Sequence, residues 1–299
     1  MTHVLHQHPF TPYDQTPMID MSAFSPMPPA DDILPRAMFD EFRHRIGTRP
    51  LDVAEWLNAD AETAPTIAMK RELLATRRNE VVALFEGGQA AAQEAAELVA
   101  QWVGASLTHT GIDALVDAAL MVADDLTVLE PRRTSAGEEL LFVAGVVCSP
   151  SRWRLADKMG KNMLRVHAPV SKYAEQIGAA VDTTLQRLTV DRPIWRSNWT
   201  LEDHPSLFQP MSPDAPLVDD VSRLWIRIER ETLRRLPQTG GILFTIRGFQ
   251  QPITHYVNRG IEHAQALSAL VRRLPDDVAR YKSVLPYREL VLAWLDAQS

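Results

Sequence analysis

From residue 61 to residue 122 the apolar positions recur at spacings of three and four, and from residue 126 onward they begin to alternate. Ile67, Met69, Leu73, Leu74, Val81, Val82 and Leu84 give residues 61 to 85 a helical period, which Gly87-Gly88 stops. Ala90 to Val103 and Ile112 to Val122 predict two more amphipathic helices facing a core. After Asp124-Asp125 the period becomes two. LTVLEP and EELLFVAGVVC, rich in β-branched and aromatic residues, flank the turn-like RRTSAG and predict a hairpin. SRWRLADKMG reads as a short helix closed by Gly160. SKYAEQIGAAVDTTLQRL then sets Ala174, Ile177, Val181, Leu185 and Leu188 on one face, with Ser171 as its N-cap.

RPIWRSNWTL, SRLWIRIERETL and GGILFTIRGFQ predict three further strands. Alternation puts Trp195, Ser197 and Trp199 on one side of the first strand and Ile194, Arg196 and Asn198 on the other. Leu224, Ile226 and Ile228 oppose Trp225, Arg227 and Glu229 in the second. Ile242, Phe244 and Ile246 oppose Leu243, Thr245 and Arg247 in the third. Helices are expected over Thr254 to Arg273, Pro275 to Lys282 and Tyr287 to Ala297. The sum is an α+β chain: a mostly antiparallel sheet of about five strands, with a helical N-terminal elaboration and C-terminal helices. Six prolines between Pro9 and Pro29 make residues 1–35 an irregular arm, and residues 36–299 read as one domain without a linker.

Composition narrows the function classes. A 45% hydrophobic content suits a globular core, and 31 basic against 38 acidic residues leave a net charge of −7 without a basic patch, which argues against nucleic acid. No apolar run approaches the roughly 18 residues of a membrane span. One cysteine in the chain fits a cytoplasmic protein and excludes a cysteine-ligated iron-sulfur cluster of its own, which takes about four thiolates. No glycine pattern matches a Rossmann or Walker A site, and H-E-x-x-H, C-x-x-C, C-x-x-C-H and G-x-S-x-G are missing. His3, His6 and His8 read as part of the tail rather than as a metal site.

Several residues can carry chemistry. His167 precedes Ala168-Pro169, whose stiff, extended backbone suits either an ordinary loop histidine or an axial metal ligand. Cys148, at the end of a buried strand, reads as a small hydrophobe, with a haem thiolate as the other possibility. Arg223, Arg227, Arg230, Arg234, Arg235 and Arg247, with Glu229 and Glu231, make either a solvated face or inward groups, arginine for a propionate and glutamate for a protonated amine. Trp195, Trp199 and Trp225 either flank a flat cofactor or belong to the core.

Read as words, RPLDVAEWLNAD at 49 to 60, CSPSRWRLADKMGKNMLRVHAPV at 148 to 170, DRPIWRSNWTL at 191 to 201 and RIERETLRRLPQTGGILFTIR at 227 to 247 resemble the haem-dependent oxidative N-demethylase family. That family includes the haem subunits of bacterial dimethylamine monooxygenases, and the likeness spans roughly residues 36 to 290. The resemblance implies a PAS-like sheet, a b-type haem whose iron is held by a histidine, and oxidative removal of a methyl group from a secondary amine with dioxygen, releasing formaldehyde. The family's H-x-P-V word falls on His167 and makes it the metal ligand. Its R-x-E-R word falls on Arg227, Glu229 and Arg230. Arg227 and Glu229 are expected to be catalytic, and Arg223, Arg230, Arg247 and Trp199 to contact the cofactor. Electrons are expected from a separate reductase subunit with flavin and iron-sulfur centres, and formaldehyde is expected to pass to a tetrahydrofolate-binding subunit. The alternative is a haem-binding PAS-like sensor or carrier that turns nothing over. Two positions depart from the family's words: Arg152 stands where it has glycine, and Ser171 where it has proline.

Overall fold

The computed structural model describes residues 47–134, 137–166, 178–211 and 218–298. The N-terminal arm with its histidines, residues 36–46, the tip of the first hairpin, His167 and Ser171 lie outside the described residues.

Among the described residues one antiparallel sheet holds seven strands: β1 (Arg49–Pro50), β2 (Val82–Leu84), β3 (Asp125–Thr134), β4 (Gly137–Val146), β5 (Ile194–Glu202), β6 (Trp225–Arg235) and β7 (Ile242–Pro252). They lie in the order β1-β5-β6-β7-β3-β4-β2. The expected count of about five is corrected to seven, because β1 and β2 are too short to show a period of their own. Val82–Leu84 closed the run that reads as helix from 61 to 85. In the folded chain it pairs Val82 with Val146 and Leu84 with Ala144, so the sheet's pairing overrides the local pattern. The hairpin also reaches into its supposed turn, since Arg132 faces Glu139 and Arg133 faces Glu138, and such opposite-charge cross-strand pairs stabilise an extended ladder.

Ten α-helices accompany the sheet among the described residues. Four precede the hairpin: α1 (Thr63–Thr76), α2 (Arg78–Val81), α3 (Gln89–Val103) and α4 (Ile112–Ala119). Two lie between the hairpin and β5: α5 (Met163–Val166) and α6 (Ala179–Arg187). Four close the chain: α7 (Ile253–Val257), α8 (Ile261–Arg273), α9 (Asp276–Tyr281) and α10 (Arg288–Asp296). The single helix expected over 254 to 273 is thus two, parted at Asn258-Arg259-Gly260.

Register fixes which side chains share a face. Trp195, Ser197, Trp199 and Leu201 of β5 stand beside Thr232, Arg230, Ile228 and Ile226 of β6. Helices cover this first face: α1, α3 and α4 over a cluster that holds Trp56, Leu126 and Leu243, and the C-terminal helices over Trp199, Ile226 and Ile228. On the second face, Arg196, Asn198, Thr200 and Glu202 of β5 stand beside Glu231, Glu229, Arg227 and Trp225 of β6. Only its hairpin end is apolar, where Leu129, Phe142, Leu233 and Ile242 meet Leu185 and Leu188 from the α6 segment. The second face is the more polar of the two.

Candidate functional site

The polar face is built by period-two placement along β6. Arg227, Glu229 and Glu231 point the same way, and each is at least nine-tenths buried. The Arg227 guanidinium donates Nη1 to the Leu207 carbonyl at 3.0 Å, Nε to Glu229 Oε1 at 3.2 Å and Nη2 to the Ser149 carbonyl. Ser149 is fixed in turn, because its N–H and that of Cys148 both donate to the Asp125 carboxylate, at 2.7 and 2.9 Å. Glu229 also accepts from Asn198 Nδ2 at 3.3 Å, and Asn198 Oδ1 accepts from Lys282 Nζ at 2.9 Å. Glu231 lies with Oε2 2.9 Å from Arg196 Nε. Burial pushes the Glu231 carboxyl up to about 7, against the pull of Arg196 and with the help of Glu229. Burial and Arg196 bring the Lys282 ammonium down to about 8. Two carboxyls and three cations thus meet on one partly covered sheet face, and burial displaces Glu231 and Lys282 toward neutrality.

At the far end of this face Arg152 takes a left-handed backbone, φ 61°. Its guanidinium reaches Glu202 Oε2 at 2.9 Å and Asp203 Oδ1 at 2.7 Å, while Ser151 and Thr200 hydroxyls donate to the other Glu202 oxygen and Tyr287 donates to Asp203. These contacts lay the 149–153 loop along the end of β5.

At the hairpin end a cleft of about 760 Å³ opens on the same face, lined among the described residues by Leu140, Asn162, Met163, Leu164, Leu188 and Arg235, with others. Its wall includes the start of α5, which leads directly to residue 167. Two bonds position that helix: Gly160 N–H donates to the Phe142 carbonyl at 2.8 Å, and Lys158 Nζ donates to the Val166 carbonyl at 2.6 Å.

A family model described as haem-dependent oxidative N-demethylase, alpha subunit-like, matches residues 103–292. The chain belongs to this family. The match takes in every long strand, the polar face and the cleft, whereas the RPLDVAEWLNAD word precedes it.

Membership of this family implies a haem, and the cleft is large enough for one, with Glu138, Glu139 and Asp182 sharing its lining with Arg235. The cleft has the size of a small-molecule or cofactor site, for which about 300–1,000 Å³ is usual. Its lining mixes branched apolar residues with polar ones. Cys148 is fully buried in the cluster beneath the helices of the first face, away from the cleft, and burial with the nearby Asp125 raises its thiol to about 12. The ligand expected from the sequence, His167, lies outside the described residues, one position beyond α5.

Of the other expected residues, the structure brings Arg227 and Glu229 together and sets the rest apart. Arg230 and Arg247 lie on the opposite, helix-covered face. Arg230 donates to the carbonyls of Trp56 at 2.7 Å and Glu55 at 2.8 Å, and Arg247 to Asp60 at 2.9 and 3.1 Å. Trp199 is buried on that face at the edge of the sheet, with Lys282 Nζ 5.1 Å from its ring centroid. Arg223 is exposed in the turn Val221–Arg223 before β6. Arg196 is placed on a strand face and Glu231 among the candidate inward carboxylates by the sequence, neither with a site role, and Lys282 is not singled out. Strand alternation marks the first two, since they share parity with Asn198 and Glu229. Nothing local marks Lys282, which reaches the site from the turn after α9.

Proposed function

We propose that this chain is the haem-bearing, oxygen-activating subunit of a cytoplasmic oxidative N-demethylase acting on a small secondary amine such as dimethylamine. The family match over residues 103–292 carries the reading, and the buried Arg227–Glu229 pair gives it a place. The strand order supports a PAS-like sheet: counted in chain order, the five long strands lie 2-1-5-4-3. In this reading His167 holds the iron of a b-type haem in the cleft, and haem when bound supplies the activation of dioxygen. Everything else falls to side chains. Glu229, held rigid by Arg227 and Asn198, offers a carboxylate to the substrate ammonium, and Glu231 supplies a second carboxyl able to take or give a proton near neutral pH. Arg230, Arg247 and Trp199 brace the sheet from behind, their donors and surface committed to the first face. Amine, dioxygen, two electrons and two protons yield the demethylated amine, formaldehyde and water. The electrons come from a flavin and iron-sulfur reductase subunit, and a tetrahydrofolate-binding subunit takes the formaldehyde.

The test is the absorption spectrum of the purified chain with haem, followed by turnover with dimethylamine and a reductase. A Soret band that shifts with dithionite and carbon monoxide, and formaldehyde equal to methylamine, are expected. Haem without formaldehyde would favour the sensor or carrier reading, and no Soret band after reconstitution would end both. His167→Ala is expected to lose the band; if it does not, the half-buried imidazole of His204, kept neutral by burial, is the next ligand to replace.

A further inference from the structure

The ion pairs of the polar face leave Lys282 aside. Arg227 lies 3.2 Å from Glu229, Arg196 2.9 Å from Glu231, and Arg152 2.9 and 2.7 Å from Glu202 and Asp203. Arg227 is spent on Glu229 and two carbonyls, and Arg196 is drawn to Glu231. Lys282 is the cation left over. Its ammonium has three N–H bonds, of which Asn198 Oδ1 takes one at 2.9 Å and the Trp199 carbonyl another at 3.0 Å, both neutral acceptors. The Trp199 ring lies against the same ammonium. No carboxylate pairs with it among the described residues, and a partly buried ammonium without a counter-ion is costly. We propose that Lys282, on the turn whose carbonyl accepts from Leu201 at the edge of β5, is the anchor of a carboxylate-binding subsite, with its third N–H donating to the ligand and Arg196 adding positive charge beside it. Burial and Arg196 lower the proton affinity of Lys282 against the pull of Glu229 and Glu231, whose carboxylates act on the ammonium from a distance without a direct ion pair.

Two carboxylates fit this chemistry. One is a haem propionate. The other belongs to the substrate, which would then be an N-methyl amino acid, its carboxylate on Lys282 and its ammonium on the Glu229 and Glu231 side. The first source rests on the haem reading proposed above; the second does not.

The experiment compares the unsubstituted full chain with Lys282→Met, and uses Lys282→Arg as the variant that restores charge and donors. Haem and haem dimethyl ester are titrated by the Soret band, and N-methylglycine and dimethylamine by calorimetry on the chain without added haem. Loss of one charge-assisted hydrogen bond predicts roughly tenfold to hundredfold weaker binding. If Lys282→Met weakens haem by that factor, leaves the ester unchanged, and Lys282→Arg recovers the loss, the carboxylate is a propionate. If haem is unaffected but N-methylglycine loses its heat of binding, it is the substrate's. Equal affinities of Lys282→Met and the unsubstituted chain for every probe, or no binding of either carboxylate by the unsubstituted chain, would overturn the subsite. A chain that takes no haem yet binds N-methylglycine through Lys282 would sink the haem reading and leave the subsite standing.

Discussion

Arg152 holds a backbone conformation that a residue with a Cβ enters at a cost of about 1–2 kcal/mol and glycine enters freely. Glycine is what the family's word has there. The side chain offsets the strain: it neutralises Glu202 and Asp203, whose carboxylates are almost wholly buried. Breaking a buried ion pair on one side costs roughly 3–5 kcal/mol. Arg152→Gly is therefore expected to lower stability by about 2 kcal/mol net, read from the urea midpoint, even though it restores the more comfortable backbone. A midpoint that rises would mean the ion pairs contribute nothing. Glu231 makes a second prediction at this scale. Its folded value of about 7 lies above its ordinary 4.5, so between those two values the folded chain holds a proton that the unfolded chain releases. Stability from this group is full below about 4.5 and is lost as pH rises through 7. Arg196, Glu229 and Lys282 face it, and Lys282 titrates above that window with the opposite slope. Unfolding measured from pH 4.5 to 7.5 should show a decline that Glu231→Gln flattens; an unchanged slope would mean the carboxyl is ionised throughout.

The long strands were legible because alternation survives in WIRIERE and ILFTIRG whatever surrounds them, and their parity already set Arg227 and Glu229 apart from Arg230. The sequence could not show which parity faces the helices, because both carry charge; Asp60 and the carbonyls of Glu55 and Trp56 decide that, from far along the chain. β1 and β2 were illegible for want of length, and Lys282 because its partners are 83 and 84 residues away. The short helix expected over residues 151–160 is a single 3-10 turn, Leu155–Asp157, and Gly160 lies in the turn that follows, where its φ of 68° explains why a glycine stands there. A Cβ at this position would lie 2.4 Å from the Phe85 ring. Gly160→Ala should lose about 1–2 kcal/mol from backbone strain alone, more with the clash. In the double variant with Phe85→Ala the clash disappears and the backbone part remains, so the two changes should be non-additive by the clash alone. Strict additivity would mean the ring simply swings aside.

At the scale of the whole molecule, the family match begins at residue 103, yet the half of the first face around Leu126 and Leu243 is covered in part by α1, α3 and Trp56, which come before it. Trp56 is fully buried, its indole N–H donating to Thr232 Oγ1 at 2.9 Å, and its carbonyl and that of Glu55 take the guanidinium of Arg230. Asp60 holds Arg247, and Glu94 on α3 accepts the N–H groups of Gln238 and Thr239 in the β6–β7 turn. The segment from 47 to 102 is thus structural to the matched region: without it a row of alanines, leucines and valines loses its cover, and two arginines lose their acceptors on the sheet. Trp56→Ala in the full chain should cost roughly 3–5 kcal/mol, the range for a large buried aromatic. A chain starting at residue 103 should lose cooperative unfolding and bind a hydrophobic dye. The polar face lies on the other side of the sheet, so Trp56→Ala should lower the unfolding midpoint while leaving haem affinity, measured well below that midpoint, within about twofold, as expected for sites that share no partner. A Trp56→Ala chain of normal stability, or one that loses haem while still folded, would mean that the two faces are not the separate layers described.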